Sequence, residues 1–190
     1  MLFRSQAYTG VDIRIVGQDG SECQLGDVGE IQIKSDVILK GYWKRDEANA
    51  ESVVDDWFFT GDAGFFDQDG FLYIHDRVKD MIISGGENIY TTEVENAVYL
   101  HPAVGEAAVF GIPHEKFGET VHAEIVPKVG ASVTEEEIIE HCRAHIAGYK
   151  LPRSVTIRSS DDPLPKSGAG KILKRDLREP HWAGRDRHVG

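Results

Sequence analysis

Cysteine is nearly missing from this sequence. Only Cys23 and Cys142 occur, far apart in the chain, which excludes a disulfide framework and a cysteine-based metal cluster. Basic residues are in the minority, 21 Lys and Arg against 32 Asp and Glu. The resulting net charge of −11 argues against a nucleic-acid or anionic-membrane surface, since both leave a basic footprint. No apolar run approaches the roughly 18 residues of a membrane span. The opening Met-Leu-Phe-Arg-Ser-Gln-Ala-Tyr lacks the apolar core of a secretory signal. A cytoplasmic protein without nucleic-acid partner or membrane span is expected. What is present suits a folded chain: 41% of the 190 residues are hydrophobic and 28% charged, enough to bury a core. The length lies at the border between one domain and two.

Val11 to Val16 alternates apolar and polar residues, and Asp19-Gly20 signals a hairpin turn into a second alternating run, Val28 to Lys34. An antiparallel β unit is predicted through about residue 40. Arg45 to Ser52 reads as a short polar helix. Asp56-Trp57-Phe58-Phe59-Thr60-Gly61-Asp62 reads as an aromatic strand ending on Thr-Gly-Asp, with the aromatic residues in the core. Asp67 to Gly70 turns the chain into a strand at Phe71 to His75. The alternating charges of Asp76, Arg77, Lys79 and Asp80 follow, and then an apolar strand, Met81 to Ile83, that breaks on Gly85-Gly86. Strand, charged joint, strand and glycine pair mark a passage from one packed body to another, or a surface hairpin with a solvated turn.

Beyond the joint the periodicity changes. Thr92 to Glu95 reads as a capping box opening a helix with Val94, Ala97 and Val98 on one face. Val104 to Ile112 and Val121 to Val126 are apolar strands. Thr134 to Glu137 is a second capping box, with Ile138, Ile139, Cys142 and Ile146 as the helix stripe. Val155 to Arg158 is a further strand, and Pro163 to Arg178 a Pro/Gly loop running into a basic helical turn. The fold class is α+β: a β-rich subdomain followed by a small α+β domain. The tail after Glu179 has no apolar periodicity and is predicted to be loosely held.

Four features carry possible chemistry. Asp62 can accept two hydrogen bonds at once, as ribose hydroxyls require, or can cap its own turn. Arg77 and Lys79 would point the same way on extended backbone, in a binding site or a solvated charge cluster. Ser167-Gly168-Ala169-Gly170-Lys171 looks like the end of a phosphate loop but fails the pattern. Pro165 stands where glycine should, and Ile172 replaces the Ser/Thr that would hold magnesium. A lysine on a flexible glycine loop survives, either a mobile surface residue or one that meets developing negative charge. His75, His101, His114, His122, His141 and His145 are scattered. His141 and His145 share i,i+4 spacing without the following Glu of a metalloprotease, so they read as a solvated helix face and no metal ligand set is assigned.

In series, WFFTGD, DGFLYIHDRVKDMIISGGENIY and PKSGAGK resemble the adenylate-forming (AMP-binding) acyl-CoA synthetase family, most closely its fatty-acyl or aryl-acid CoA ligases. The resemblance implies activation of a carboxylic acid by ATP to an acyl-adenylate, exchange of AMP for coenzyme A, and a small carboxy-terminal domain that swings between the two steps. It places Asp62 on the AMP ribose, Arg77 on the ribose-phosphate, Ile74 near adenine and Lys79 at the hinge. It makes Lys171 the adenylation lysine. Gly85 and Gly86 would line the pantetheine path, and Tyr149 and Arg153 would contact the CoA nucleotide, although Leu151 departs from the basic residue often found there. The corresponding domains are 1–78, the last β subdomain of the large AMP-binding domain, and 79–190, the mobile carboxy-terminal domain.

The family's Ser/Thr/Gly-rich phosphate loop and the aromatic-Gly-x-Thr-Glu motif that holds adenine and magnesium do not occur in these residues. The chain is therefore expected to need the missing amino-terminal part of the same enzyme as its partner, and to be inactive alone. A stand-alone nucleotide- or CoA-binding accessory module is the alternative. An upstream reading frame encoding the phosphate loop would separate the two.

Overall fold

In the computed structural model, which describes residues 4–159 and 161–185, the alternating runs form strands as their period requires. The chain divides into two compact units, Met1–Lys79 and Asp80–Gly190.

In the first unit, β1 (Arg4–Ser5), β2 (Asp12–Val16), β3 (Gly29–Lys34), β4 (Val53–Val54), β5 (Trp57–Phe66) and β6 (Leu72–Arg77) make one sheet ordered β1-β6-β5-β3-β2, with β4 on β5. All its pairings are antiparallel. The short helix α1 (Asp46–Ser52) precedes β4. One face buries Ile15, Ile31 and Leu72, with Ile13, Cys23, Ile33 and Phe66 against them. Two expectations are corrected here. Trp57, Phe58 and Phe59 are only half-buried, and Trp57 carries the Arg14 guanidinium over its ring at 4.1 Å. Nor does β5 end at Thr-Gly-Asp: it runs on to Phe66 through a bulge.

The charged joint also differs from a solvated turn. Asp76 and Arg77 belong to β6, Asp76 is buried, and its Oδ1 accepts the Arg77 N–H at 2.8 Å. Val78–Asp80 is a 3-10 turn, so the alternation that would align Arg77 with Lys79 stops at Arg77.

The second unit opens with a hairpin, β7 (Ile82–Ser84) and β8 (Glu87–Ile89), in which Ser84 pairs with Glu87. Gly85 and Gly86 form its two-residue turn at φ +62 and +88, a geometry that wants glycine at both positions. Helix α2 (Thr91–Tyr99), β9 (Val104–His114), β10 (Gly118–Pro127), α3 (Glu135–Arg143) and β11 (Ser154–Ile157) follow. β10 pairs antiparallel with β9 along its length and parallel with β11 at residues 122–125, and meets β7 only at Gly118–Ser84.

Both faces of β9 and β10 are buried, which explains their nearly continuous apolar runs. Ala107, Val109, Val121, Ala123 and Ile125 join the core beneath α2 and α3. Ala108, Phe110 and Val126 form a second core with Leu164 and Leu177 of the carboxy-terminal segment, which carries α4 (Lys174–Arg178). Each fully buried Ile or Val contributes about 1.5–3 kcal/mol relative to exposure. The Thr134 box caps α3 with both reciprocal bonds. The expected box at Thr92 is absent. Helix α2 starts two residues earlier, with Tyr90 in place of Thr92 as its N-cap and no side-chain cap. The residues around it are engaged elsewhere: Thr91 accepts from Lys174 at 2.7 Å, Glu95 pairs with Lys174 at 2.8 Å, and Glu93 with Lys150 at 2.6 Å. Of the tail after Glu179, the described part is held rather than loose, because Glu179–Trp182 forms a 3-10 turn and Trp182 Nε1 donates to the Gly111 carbonyl at 3.0 Å; residues 186–190 lie outside the described residues.

Candidate functional site

The Thr-Gly-Asp segment owes its shape to the strand register. Gln32 pairs with Phe59 and Glu30 with Ala63, so Thr60, Gly61 and Asp62 stand opposite the single residue Ile31 and bulge outward. Gly61 adopts φ +69. Its N–H donates to Glu30 Oε1 at 3.1 Å. Burial raises the Glu30 carboxyl above its usual range, and the Gly61 N–H partly offsets this. Thr60 Oγ1 donates to the Ile31 carbonyl at 2.7 Å and accepts the Asp62 N–H at 3.1 Å.

On the neighbouring strand Arg77 lies directly across from Asp62, and its Nε meets Asp62 Oδ1 at 2.7 Å. The same guanidinium reaches the Gly61 carbonyl at 3.4 Å. The Asp62 carboxylate therefore turns to the neighbouring strand rather than capping its own turn. A second irregularity, at which Ala63 pairs with Asp76 and Gly64 with Ile74, leaves Ile74 an exposed apolar side chain. The first unit thus gathers a carboxylate, a guanidinium and an apolar surface on two adjacent strands. Lys79 is exposed in the 3-10 turn that follows.

In the second unit Gly85 and Arg153 converge on a residue that the motif reading missed. The Gly85 N–H donates to the Phe117 carbonyl at 2.9 Å. A Cβ on Gly85 would come within 3.2 Å of the Phe117 ring, and the Arg153 guanidinium stacks over that ring at 4.6 Å. His114 stacks on Phe117 at 4.8 Å between ring centroids, while its Nδ1 accepts the Lys116 and Phe117 N–H groups. An aromatic residue before Gly118 in the β9–β10 turn was the available signal. Tyr149 is exposed, with the Lys150 ammonium 5.5 Å from its ring centroid. Leu151, in place of a basic residue, is buried in the core.

Lys171 stands at the far end of β9 from that cluster. Its loop is not the flexible one expected. Ser167 N donates to the Lys171 carbonyl and Gly170 N to the Ser167 carbonyl, both at 2.8 Å, and Lys171 N donates to Ser167 Oγ at 3.2 Å. Lys166, one residue before the turn, pairs with Glu106 near the start of β9 at 2.6 Å. Ile172, one residue after Lys171, packs on the second core. The lysine is exposed on an anchored turn.

The histidines are also less scattered than the sequence suggests. His141 packs edge-on against His101 at 5.0 Å and lies 4.7 Å from His145. Burial, then the neighbouring His145 and His101, depress the His141 pKa. His122 is buried on β10 with Nδ1 2.7 Å from Ser154 Oγ. Burial, then His181, push its pKa down to about 4. His122, Glu124 and His181 bring three possible ligand atoms within 4.8 Å of one another.

Residues 93–171 match the family model of the AMP-binding enzyme C-terminal domain. A feruloyl-CoA synthase of an Amycolatopsis species is 45% identical over 167 residues, 88% of this chain and 33% of that protein. The long-chain-fatty-acid–CoA ligase FadD13 of Mycobacterium tuberculosis is 46% identical over 180 residues, 95% of this chain and 34% of its own length. Among solved structures, ATP-bound MatB from Rhodopseudomonas palustris superposes with a TM-score of 0.82 at 37% identity, covering 92% of this chain and 35% of that one. The o-succinylbenzoate CoA synthetase of Bacillus subtilis in complex with AMP gives 0.80 at 38% identity, covering 90% and 34%. The chain thus spans about a third of the length of the curated relatives it matches. Among the described residues no helix is long and apolar enough to cross a membrane. With the carboxy-terminal domain model and CoA ligases matched along nearly all of its length, the chain belongs to the adenylate-forming, AMP-binding acyl-CoA synthetase family and corresponds to its carboxy-terminal portion.

Proposed function

We propose that this chain is the carboxy-terminal part of a cytoplasmic, ATP-dependent acid–CoA ligase. The reaction joins a fatty or similar carboxylic acid to coenzyme A, releasing AMP and pyrophosphate by way of an acyl-adenylate. In this reading residues 1–78 close the large AMP-binding domain and residues 79–190 are the domain that moves. The observation that carries it is the placement of Lys171 and of Gly85-Gly86 at opposite ends of one strand. Lys166 binds Glu106 at the start of β9, whereas Gly85 binds Phe117 just past its end. Eight residues separate Glu106 from His114, a span of ~26 Å at the usual rise per residue. One rigid body cannot offer both groups to a single reacting carbon, so two steps with a reorientation between them fit the geometry.

In the first step the substrate carboxylate attacks the α-phosphorus of ATP and pyrophosphate leaves. The Lys171 ammonium bridges the carboxylate and the α-phosphate, stabilising charge as it builds. Asp62 accepts the ribose hydroxyls. Arg77 holds that carboxylate in place and reaches the ribose-phosphate, and Ile74 offers apolar surface to adenine. In the second step the CoA thiol attacks the acyl carbonyl and AMP leaves. Gly85 and Gly86 let the backbone approach the pantetheine arm, and Arg153 and Tyr149 meet the CoA nucleotide. Lys79, in the turn where the two compact units divide, absorbs the change in φ and ψ. Magnesium calls for oxygen ligands. The imidazole-rich cluster of His122, Glu124 and His181 does not fit it, and no step here passes through that ion.

A ligase completed with the amino-terminal two thirds of a relative tests the proposal. The completed enzyme should show acid-dependent ATP–pyrophosphate exchange and form the CoA thioester of its partner enzyme's acid, while the 190-residue chain alone shows neither. A folded chimera without exchange, or exchange by the chain alone that Lys171→Ala abolishes, would overturn the proposal.

A further inference from the structure

The alternation of β10 sends Val121, Ala123 and Ile125 into the core under the helices. Residues 120, 122, 124 and 126 therefore face the other way, where the carboxy-terminal segment covers the sheet. On that covered face His122 and Glu124 stand two residues apart on the same strand, 4% and 6% exposed. A third donor arrives from the 3-10 turn at Glu179–Trp182, where Trp182, bound to the Gly111 carbonyl, fixes its neighbour His181. The two imidazoles lie 5.2 Å apart between centroids, and Phe110 flanks both.

We propose that His122, Glu124 and His181 form a transition-metal site, best suited to zinc, that fastens the 3-10 turn at Glu179–Trp182 to the buried face of β10. The three donor atoms already fall within 4.8 Å of one another. Ligands of one tetrahedral zinc lie about 2.0–2.2 Å from the ion, so closure asks for a shift of about an ångström. His181, the exposed member, is free to make it. Two imidazoles and a carboxylate are borderline donors that suit zinc, and three protein ligands leave a fourth position for water.

The surroundings are those a metal site needs. Alternate residues from β11 onward, Ser154, Thr156 and Arg158, supply an outer layer of partners. Ser154 Oγ lies 2.7 Å from His122 Nδ1 and Thr156 Oγ1 3.3 Å from Nε2. Whichever nitrogen binds the ion, the other keeps a hydroxyl to fix the tautomer. Arg158 Nη1 donates to Glu124 Oε2 at 2.5 Å, and the guanidinium is itself paired with Asp162, which holds the carboxylate in place. The fastened segment is the one that carries Lys171, so the ion would stiffen the support of the adenylation lysine.

The test uses the tag-free 190-residue chain. Zinc added in competition with a chromogenic chelator should bind at one ion per chain, raise the melting temperature, and be replaceable by cobalt with the visible absorption of a four-coordinate site. His181→Ala removes an exposed side chain and should leave the circular dichroism unchanged while weakening zinc at least ~100-fold. Ser154→Ala, which touches only the outer layer, should weaken it ~10-fold. His145→Ala, at the separate cluster with His101 and His141, should change nothing. No stoichiometric binding at micromolar zinc would overturn the site, and so would binding that survives His181→Ala but is lost in His145→Ala. None of these readouts depends on ligase activity, so failure here leaves the proposed reaction standing.

Discussion

The two ends of β9 in the second unit are built differently. At the Lys171 end a charged side chain is presented on a turn anchored by Lys166–Glu106 and by Ile172 in the second core. At the Gly85 end the presented group is backbone, bared by two glycines and backed by Phe117 and Arg153. One end offers a cation to developing charge and the other offers a close approach. Under the proposed function, the difference teaches how a single small domain could serve two reactions, each end carrying equipment for one of them.

Predictions follow from trying to break that division, the largest effect first. In the completed ligase, Lys171→Ala should slow ATP–pyrophosphate exchange by about 100- to 1,000-fold, the usual cost of losing one transition-state donor. Gly85→Ala should act at the other end. Its φ of +62 and the Phe117 ring 3.2 Å from the new Cβ impose about 1–2 kcal/mol of strain. Thioester formation should fall roughly tenfold, read by stopped-flow with pre-formed adenylate, while exchange stays near wild type. A loss of exchange comparable to that of Lys171→Ala would erase the division.

Thr134→Ala provides the comparison that favours neither end. It removes the α3 cap and should cost about 1 kcal/mol of stability by denaturant titration, with the ratio of the two half-reactions unchanged. The smallest effect concerns His141, whose pKa the fold depresses from 6.5 by burial and by His145 and His101. The unfolded chain takes up that proton near pH 6.5 and the folded chain does not. This contribution is therefore present above pH 6.5 and is lost as the pH falls below it. His141→Gln should flatten the acid side of the melting-temperature profile relative to wild type, measured in metal-free buffer.

Much of this was legible in the sequence because short-range rules govern it. The strands at Val11–Val16, Val104–Ile112 and Val121–Val126, the Thr134 box and the glycine turn each need only a few neighbouring residues to be recognised. What escaped depended on register and on contacts far apart in the chain. The Asp62 bulge follows from Glu30 facing Ala63, which no local pattern announces. The Thr92 box failed because Lys174, more than eighty residues away, engages Thr91 and Glu95. Phe117 and His181 belong to no local motif, since their neighbours Gly85, Arg153 and His122 come from other strands and connections. Asp76 looked solvated because its charge suggests exposure, whereas the β5–β6 pairing buries it.

The central claim is that Lys171 serves only the first of two half-reactions. It is tested most directly by supplying Lys171→Ala ligase with pre-formed acyl-adenylate and CoA and measuring the rate of thioester release. The account predicts a rate close to wild type despite the collapse of pyrophosphate exchange. An equal defect in both half-reactions would contradict it.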